Sequence, residues 1–243
     1  MDEKSPQHRV AVLIFAEAQQ RDLRRRGLPS RASNLLALPR LDDISASADV
    51  HWFCDRPFEP PVERPRDAPL AASQQFIVHR QRGRTFAQRL ENAVDDLAQA
   101  GYEKIVILGR DCPQLTRDDV TRAIELLDSQ RLVIGPDHRG GCWLIALHAT
   151  DREKLHGVRW RRDTDAAELL SRFGATFTSV LDVKFDLDHA GDLRDLAKVF
   201  APALAVLAFT RCAAPATTLR IHVPLCFVRL SCQIPPPASR FAA

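Results

Sequence analysis

The stretch from Lys104 to Leu147, KIVILGRDCPQLTRDDVTRAIELLDSQRLVIGPDHRGGCWLIAL, leaves the chain few ways to fold. It reads as strand, acidic turn, helix, strand, glycine turn, strand. Ile105 to Leu108 is an aliphatic run closed by Gly109, the pattern of a strand buried on both faces in a parallel sheet. Asp111 follows just past that strand's carboxyl end. Ligands of open α/β sheets gather in the crevice outside those ends, so a carboxylate there is placed to hold a cation on a phosphate-bearing ligand. The same residue can equally begin a turn before Pro113, since Asp and Pro are common turn formers. Thr116 with Asp119 three residues on has the spacing of a capping box, and Val120, Ile124 and Leu127 give the next helix an apolar stripe.

The rest of the chain repeats the strand and helix alternation. Val10 to Phe15 predicts a first buried strand, followed by AEAQQRDLRRRGLP, which has helix formers and no glycine before Gly27. Arg21, Arg24, Arg25 and Arg26 there are either phosphate donors or a solvated helix face. Ser30 to Leu38 suggests a short helix, Val50 to Cys54 a second strand ending at Asp55, and Pro57 to Pro69 a surface connection. Phe76 to His79 predicts a third strand, and Phe86, Leu90, Ala93 and Leu97 the helix after it. Gln81 and Gly83 fall on the loop between them, where ligand contact and turn chemistry are both open. Further on, Asp151 to His156 predicts a short helix, Thr164 the cap of a longer one, and Thr176 to Leu181 a strand. Alternation then puts Asp186 and Asp188 on one face. A pair of carboxylates projecting together calls for a cation or for hydrogen-bond donors, while Asp188 can also cap the helix starting near Gly191. His138 and His189 read as loop residues.

Composition narrows the function classes. With 45% hydrophobic and 27% charged residues over 243 positions, the chain can bury a full core, most simply as one α/β domain over residues 1–200 with a tail, 201–243. The tail holds four arginines and no acid, so it turns a net charge of −1 into the whole-chain +3. No period of 2 or 3.6 persists through it. The 29 arginines against 5 lysines show no basic face interleaved with aromatics, so no nucleic-acid partner is expected. The six cysteines lack Cys-x-x-Cys pairing and zinc-ligand histidines, and MDEKSPQHR at the start has no apolar core of a signal peptide, so a cytoplasmic chain is expected. The longest charge-free apolar run near a helix, Val199 to Thr210, contains Pro202 and is too short to span a bilayer.

Three blocks carry a resemblance: Gly109-Arg-Asp-Cys-Pro-Gln-Leu-Thr116, Gly135-Pro-Asp-His-Arg-Gly-Gly-Cys-Trp-Leu-Ile-Ala-Leu147 and Asp186-Leu-Asp188-His-Ala-Gly-Asp192-Leu193. In order and spacing they resemble a family of GT-A-type glycosyltransferases, within the nucleotide-diphospho-sugar transferase superfamily and related to molybdenum-cofactor and phospholactate nucleotidyltransferases. The likeness covers roughly residues 8 to 200, extends to Gln81-Arg-Gly-Arg-Thr-Phe-Ala-Gln-Arg-Leu90, and places Trp160 where the family often has tryptophan. It implies a single GT-A-like, Rossmann-like α/β domain with a central, mostly parallel sheet flanked by helices. It also implies Mg²⁺ or Mn²⁺ on Asp111 and Asp188, a nucleotide sugar contacting Gln81, Gly83, Arg110, Arg139, Gly140 and Gly141, and a small-molecule acceptor. Asp137 is the nearby loop carboxylate offered as base. Arg139 stands where the family has Asp, Cys142 replaces a tyrosine, and the family's amino-terminal Lys-Thr-Arg-Leu segment is absent. An arginine there either binds phosphate directly or marks lost catalysis. Two alternatives therefore stay open: nucleotidyl transfer from a nucleoside triphosphate to a phosphorylated small molecule, against which the missing glycine-rich first loop speaks, and a nucleotide-binding protein without turnover.

Overall fold

The computed structural model describes residues 9–28, 47–56 and 77–199. The predicted Ser30 to Leu38 helix, the Pro57 to Pro69 connection, Phe76 and the 201–243 tail lie outside them. Within the described residues the chain forms seven strands: β1 Val10–Ala16, β2 Asp49–Cys54, β3 Ile77–Arg80, β4 Lys104–Leu108, β5 Leu132–Pro136, β6 Cys142–His148 and β7 Thr178–Val180. Five helices accompany them: α1 Gln19–Arg25, α2 Phe86–Gln99, α3 Arg117–Leu126, α4 Asp165–Phe173 and α5 Asp192–Val199. Two 3₁₀ segments, Ala149–Leu155 and Ala175–Phe177, complete the set, the second taking the start of the predicted last strand.

The strands make one mixed sheet in the order β3-β2-β1-β4-β6-β5-β7, in which β6 alone runs against the others. The short connection after Pro136 forces that reversal, because adjacent strands joined by a tight turn must pair antiparallel. β1 and β4, all aliphatic at their centres, are buried on both faces. Val12, Ile14, Val106 and Leu108 face α3 through Val120, Ala123 and Leu127. Ala11, Leu13, Ile105 and Ile107 face α2 and α4 through Leu90, Val94, Leu97, Leu169 and Phe173. The chain runs outward from β1 through β2 to β3, then returns to lay β4 on the other side of β1. Strand order therefore reverses between β1 and β4, and the crevice outside their carboxyl ends is the place such folds reserve for ligands. No helix among the described residues is long and apolar enough to cross a membrane.

Candidate functional site

A cavity of about 370 Å³ opens at that reversal point, within the size range of small-molecule sites. Three carboxylates converge in it. Asp111 comes from the loop after β4, and Asp186 and Asp188 from the segment leading into α5. One oxygen of each lies within 4.8 Å of the others. Backbone pairing sets the approach, since the N–H of Leu187 donates to the carbonyl of Asp111 at 2.7 Å and so lays the second segment against the first.

Three acids so close must be compensated, and two arginines do most of it. Arg26, at the end of α1, donates Nε to Asp22 Oδ1 at 2.7 Å, Nη2 to Asp111 Oδ2 at 2.9 Å, and Nη1 to Asp188 Oδ1 at 3.1 Å and the carbonyl of Leu187 at 2.6 Å. Burial pulls its pKa down, but the carboxylates of Asp111 and Asp22 more than reverse this, so the guanidinium stays charged. Arg139 reaches Asp188 Oδ2 at 2.9 Å, Asp192 Oδ2 at 3.2 Å and the carbonyl of Asp186 at 3.0 Å. Asp192 Oδ2 also accepts the N–H groups of Asp188 and His189, both at 2.8 Å, and so holds the turn that leads into α5. Asp186 is left out of this network on one side: it is buried, and its Oδ1 has no hydrogen-bond partner among the described residues. Burial first, then the charges of Asp111 and Asp188, raise its pKa well above the usual carboxylate range. Three hard oxygen donors, one of them buried without a donor of its own, fit a divalent cation such as Mg²⁺ or Mn²⁺.

The other predicted site residues divide. Gln81, Arg110, Asp137 and Arg139 line the cavity with Asp111 and Asp188. Gln81 also clamps the sheet, its Nε2 donating to the carbonyls of Ala16 and Phe53 at 3.0 Å each. Arg110 is buried with its guanidinium 5.3 Å from the ring centre of Trp52, an arrangement that tethers the charge beside the acids. Asp137 accepts the backbone N–H groups of Arg139, Gly140 and Gly141 on Oδ1 at 2.6, 2.8 and 3.0 Å. The structure places Gly140 and Gly141, expected to contact the nucleotide sugar, with their amides on Asp137, and neither glycine lines the cavity. Gly140 is needed for another reason, a φ of 106° and a site where a Cβ would collide with the carbonyl oxygen of Asp163. Gly83 also lies off the cavity; at φ 135° it makes room for the first turn of α2, where a Cβ would come within 2.9 Å of Arg89 N. Of the four arginines around α1, Arg25 and Arg26 line the cavity and Arg21 and Arg24 do not.

The far wall is aromatic. Phe15 meets Phe86 edge-on at 5.4 Å, and Phe86 meets Trp160 at 6.4 Å. Arg161 (φ 62°) and Asp163 (φ 56°) beside it hold left-handed conformations that non-glycine residues adopt only under local constraint.

Comparison with known proteins agrees with this architecture. The profile of a family described as "Uncharacterized protein conserved in bacteria (DUF2064)" matches residues 45–162. No curated protein sequence matches the chain. Among solved structures, a Desulfovibrio desulfuricans G20 protein assigned to the nucleotide-diphospho-sugar transferases superposes with a TM-score of 0.58 at 20% identity, over 79% of this chain and 87% of that one. A Mycobacterium tuberculosis H37Rv protein in complex with manganese gives 0.45 at 16%, over 78% and 97%. The 2-C-methyl-D-erythritol 4-phosphate cytidylyltransferase of Thermus thermophilus gives 0.47 at 15%, over 81% and 98%. The first likeness shows that the chain shares that protein's fold; identities this low fix no activity.

Proposed function

We propose that the chain is a metal-dependent glycosyltransferase using a nucleotide-diphospho-sugar donor, with its site carried entirely by residues 1–200. The observation that carries this reading is the Asp111, Asp186 and Asp188 cluster at the strand-order reversal, one buried oxygen of which has no donor among the described residues. These three residues would hold Mg²⁺ or Mn²⁺, which when bound supplies charge to stabilise the departing diphosphate. Arg110 and Arg139 add preorganised guanidinium donors for the same phosphate charge. The wall of Phe15, Phe86 and Trp160 keeps water from the reacting centre. The acceptor hydroxyl oxygen attacks the sugar carbon while that carbon's bond to the diphosphate oxygen breaks. General-base work by Asp137 would fall to Oδ2, because Oδ1 holds the turn.

A second reading, binding without turnover, has one specific observation behind it: Arg26 is already seated on Asp111 and Asp188. Calorimetry and thermal shift with nucleotide sugars, nucleoside triphosphates and nucleoside diphosphates, each with and without Mn²⁺, test both. Metal-dependent binding of a nucleotide sugar, with release of nucleoside diphosphate when an acceptor is supplied, is the expected result. Binding without release supports the second reading. Pyrophosphate release from a triphosphate would replace both with nucleotidyl transfer.

A further inference from the structure

Arg26 raises a question that the reading above leaves open. Its side chain is only 5% exposed, and it occupies oxygens of two of the three carboxylates assigned to the cation, Asp111 Oδ2 at 2.9 Å and Asp188 Oδ1 at 3.1 Å. A guanidinium and a divalent cation compete for the same lone pairs. A cation entering alone would have to break two part-buried charge-assisted hydrogen bonds and leave a buried guanidinium short of partners, which is a costly change. One contact need not break. Nε stays on Asp22 Oδ1 at 2.7 Å, Asp22 itself is buried, and both residues belong to the turn that closes α1. Held at Nε, the fork can turn its two Nη groups from the carboxylates, Nη1 also leaving the Leu187 carbonyl, to another oxygen set close by, and Arg26 lines the cavity where a phosphate would lie.

We propose that Arg26 is a displaceable resident counter-cation: Asp111 and Asp188 exchange its Nη groups for the divalent cation when a diphosphate offers those groups replacement oxygens. Cation and diphosphate then bind in mutual dependence, and Arg26, pivoting on Asp22, becomes a diphosphate-binding residue. The inference rests on the reading that Asp111, Asp186 and Asp188 take a divalent cation. It adds which residue guards the site and which ligand releases it. Because such coupling is reciprocal, Mn²⁺ should tighten diphosphate binding by the same factor by which diphosphate tightens Mn²⁺.

The test is a titration of Mn²⁺ into the full chain, with free Mn²⁺ read by its electron paramagnetic resonance signal. It is run alone and with inorganic diphosphate, after allowance for the Mn²⁺–diphosphate complex formed in solution. The wild type should bind Mn²⁺ weakly alone and about 5- to 150-fold more tightly with diphosphate, the usual span of coupling between two sites. Arg26→Gln should bind Mn²⁺ alone more tightly than the wild type by a factor of that order, and diphosphate should then add less than it does in the wild type. Arg26→Lys keeps one charge without the fork and should fall between. Equal Mn²⁺ affinity of the wild type and a folded Arg26→Gln, unaffected by diphosphate, would overturn the exchange while leaving the cation site intact. Binding of Mn²⁺ by neither protein under either condition would remove the cation site itself and the exchange with it. If Arg26→Gln does not fold, the wild-type titrations decide alone: affinity that ignores diphosphate refutes the proposal.

Discussion

Asp111 is the residue on which most of the functional reading turns, and Asp111→Asn separates its roles. Asn keeps the turn and the shape but removes the charge that Arg26 and the cation share. Nucleotide-sugar binding should lose its metal dependence and about ten- to a hundredfold in affinity, the worth of one charge-assisted contact, with the fold kept. Calorimetry with and without Mn²⁺ checks this, and an Asn variant with wild-type metal dependence would refute the assignment. Gly140→Ala should act on stability instead, costing about 1–3 kcal/mol through the left-handed backbone alone and more through the collision with Asp163, as read from the urea midpoint. At this scale the sequence reveals the acids better than their partners. Asp111, Asp186 and Asp188 stand in blocks whose spacing marks strand ends. Arg26 hides in a run of arginines, because its partners Asp111 and Asp188 lie far away in the chain and only the fold brings them together. For Gly140 and Gly141 the sequence does not show that Asp137, within the same turn, takes their amides for itself.

Elements carry two more tests. Thr116 caps α3 as its spacing predicts, accepting the N–H of Asp119 at 3.2 Å while Asp119 Oδ2 accepts the N–H of Thr116 at 2.7 Å. Thr164 precedes α4 as predicted but makes no side-chain capping bond; Asp165 instead accepts the N–H groups of Arg161 and Arg162 at 3.0 and 3.5 Å. Thr116→Ala should therefore cost about 1 kcal/mol and Thr164→Ala nearly nothing, measured by denaturant unfolding. A sequence shows cap spacing but not which oxygen wins it. The pairing of β2 with β3 brings in a chain of polar groups that no local pattern displays. Tyr102 donates its hydroxyl to Asp49 Oδ2 at 2.8 Å, so it accepts from His51 Nε2 at 2.8 Å, which leaves His51 Nδ1 to accept from His79 Nε2 at 2.8 Å. This holds His51 neutral. Burial first, then the neighbouring His79, lower its pKa from 6.5 to about 4, against the opposing pull of Asp49. The unfolded chain takes up this proton near pH 6.5 and the folded chain only near 4. The stabilisation is therefore complete above pH 6.5 and drains away as pH falls towards 4, by at most about 3 kcal/mol. Urea unfolding between pH 7 and 4.5 should show this acid limb, and His51→Gln should flatten it; an unchanged limb in the variant would place the loss elsewhere.

For the molecule as a whole, the alternation of strands and helices is legible chiefly because β1 and β4 are largely aliphatic runs and α2 and α3 keep their apolar stripes. The insertion of β6 between β4 and β5 is not, since a hairpin turn fixes direction but not which neighbour the returning strand will choose. Yet that insertion matters, because it carries the Asp137 turn and Arg139 to the rim beside Asp111. Among the described residues, those lining the cavity lie between Phe15 and His189. The 201–243 segment lies outside the described residues; its sequence contributes four arginines and no acid. If the site is complete within residues 1–200, a chain ended after Phe200 should keep its melting temperature to within a few degrees, and its Mn²⁺-dependent nucleotide binding within about twofold. Losing four positive charges should at most slow the approach of an anionic ligand at low salt, an effect that 0.15 M salt screens over about 8 Å. Thermal melting and calorimetry at low and physiological ionic strength measure both quantities. Binding that weakens tenfold at both ionic strengths, with the melting temperature unchanged, would show that the segment supplies part of the ligand site. A collapse of the melting temperature would show instead that it belongs to the core.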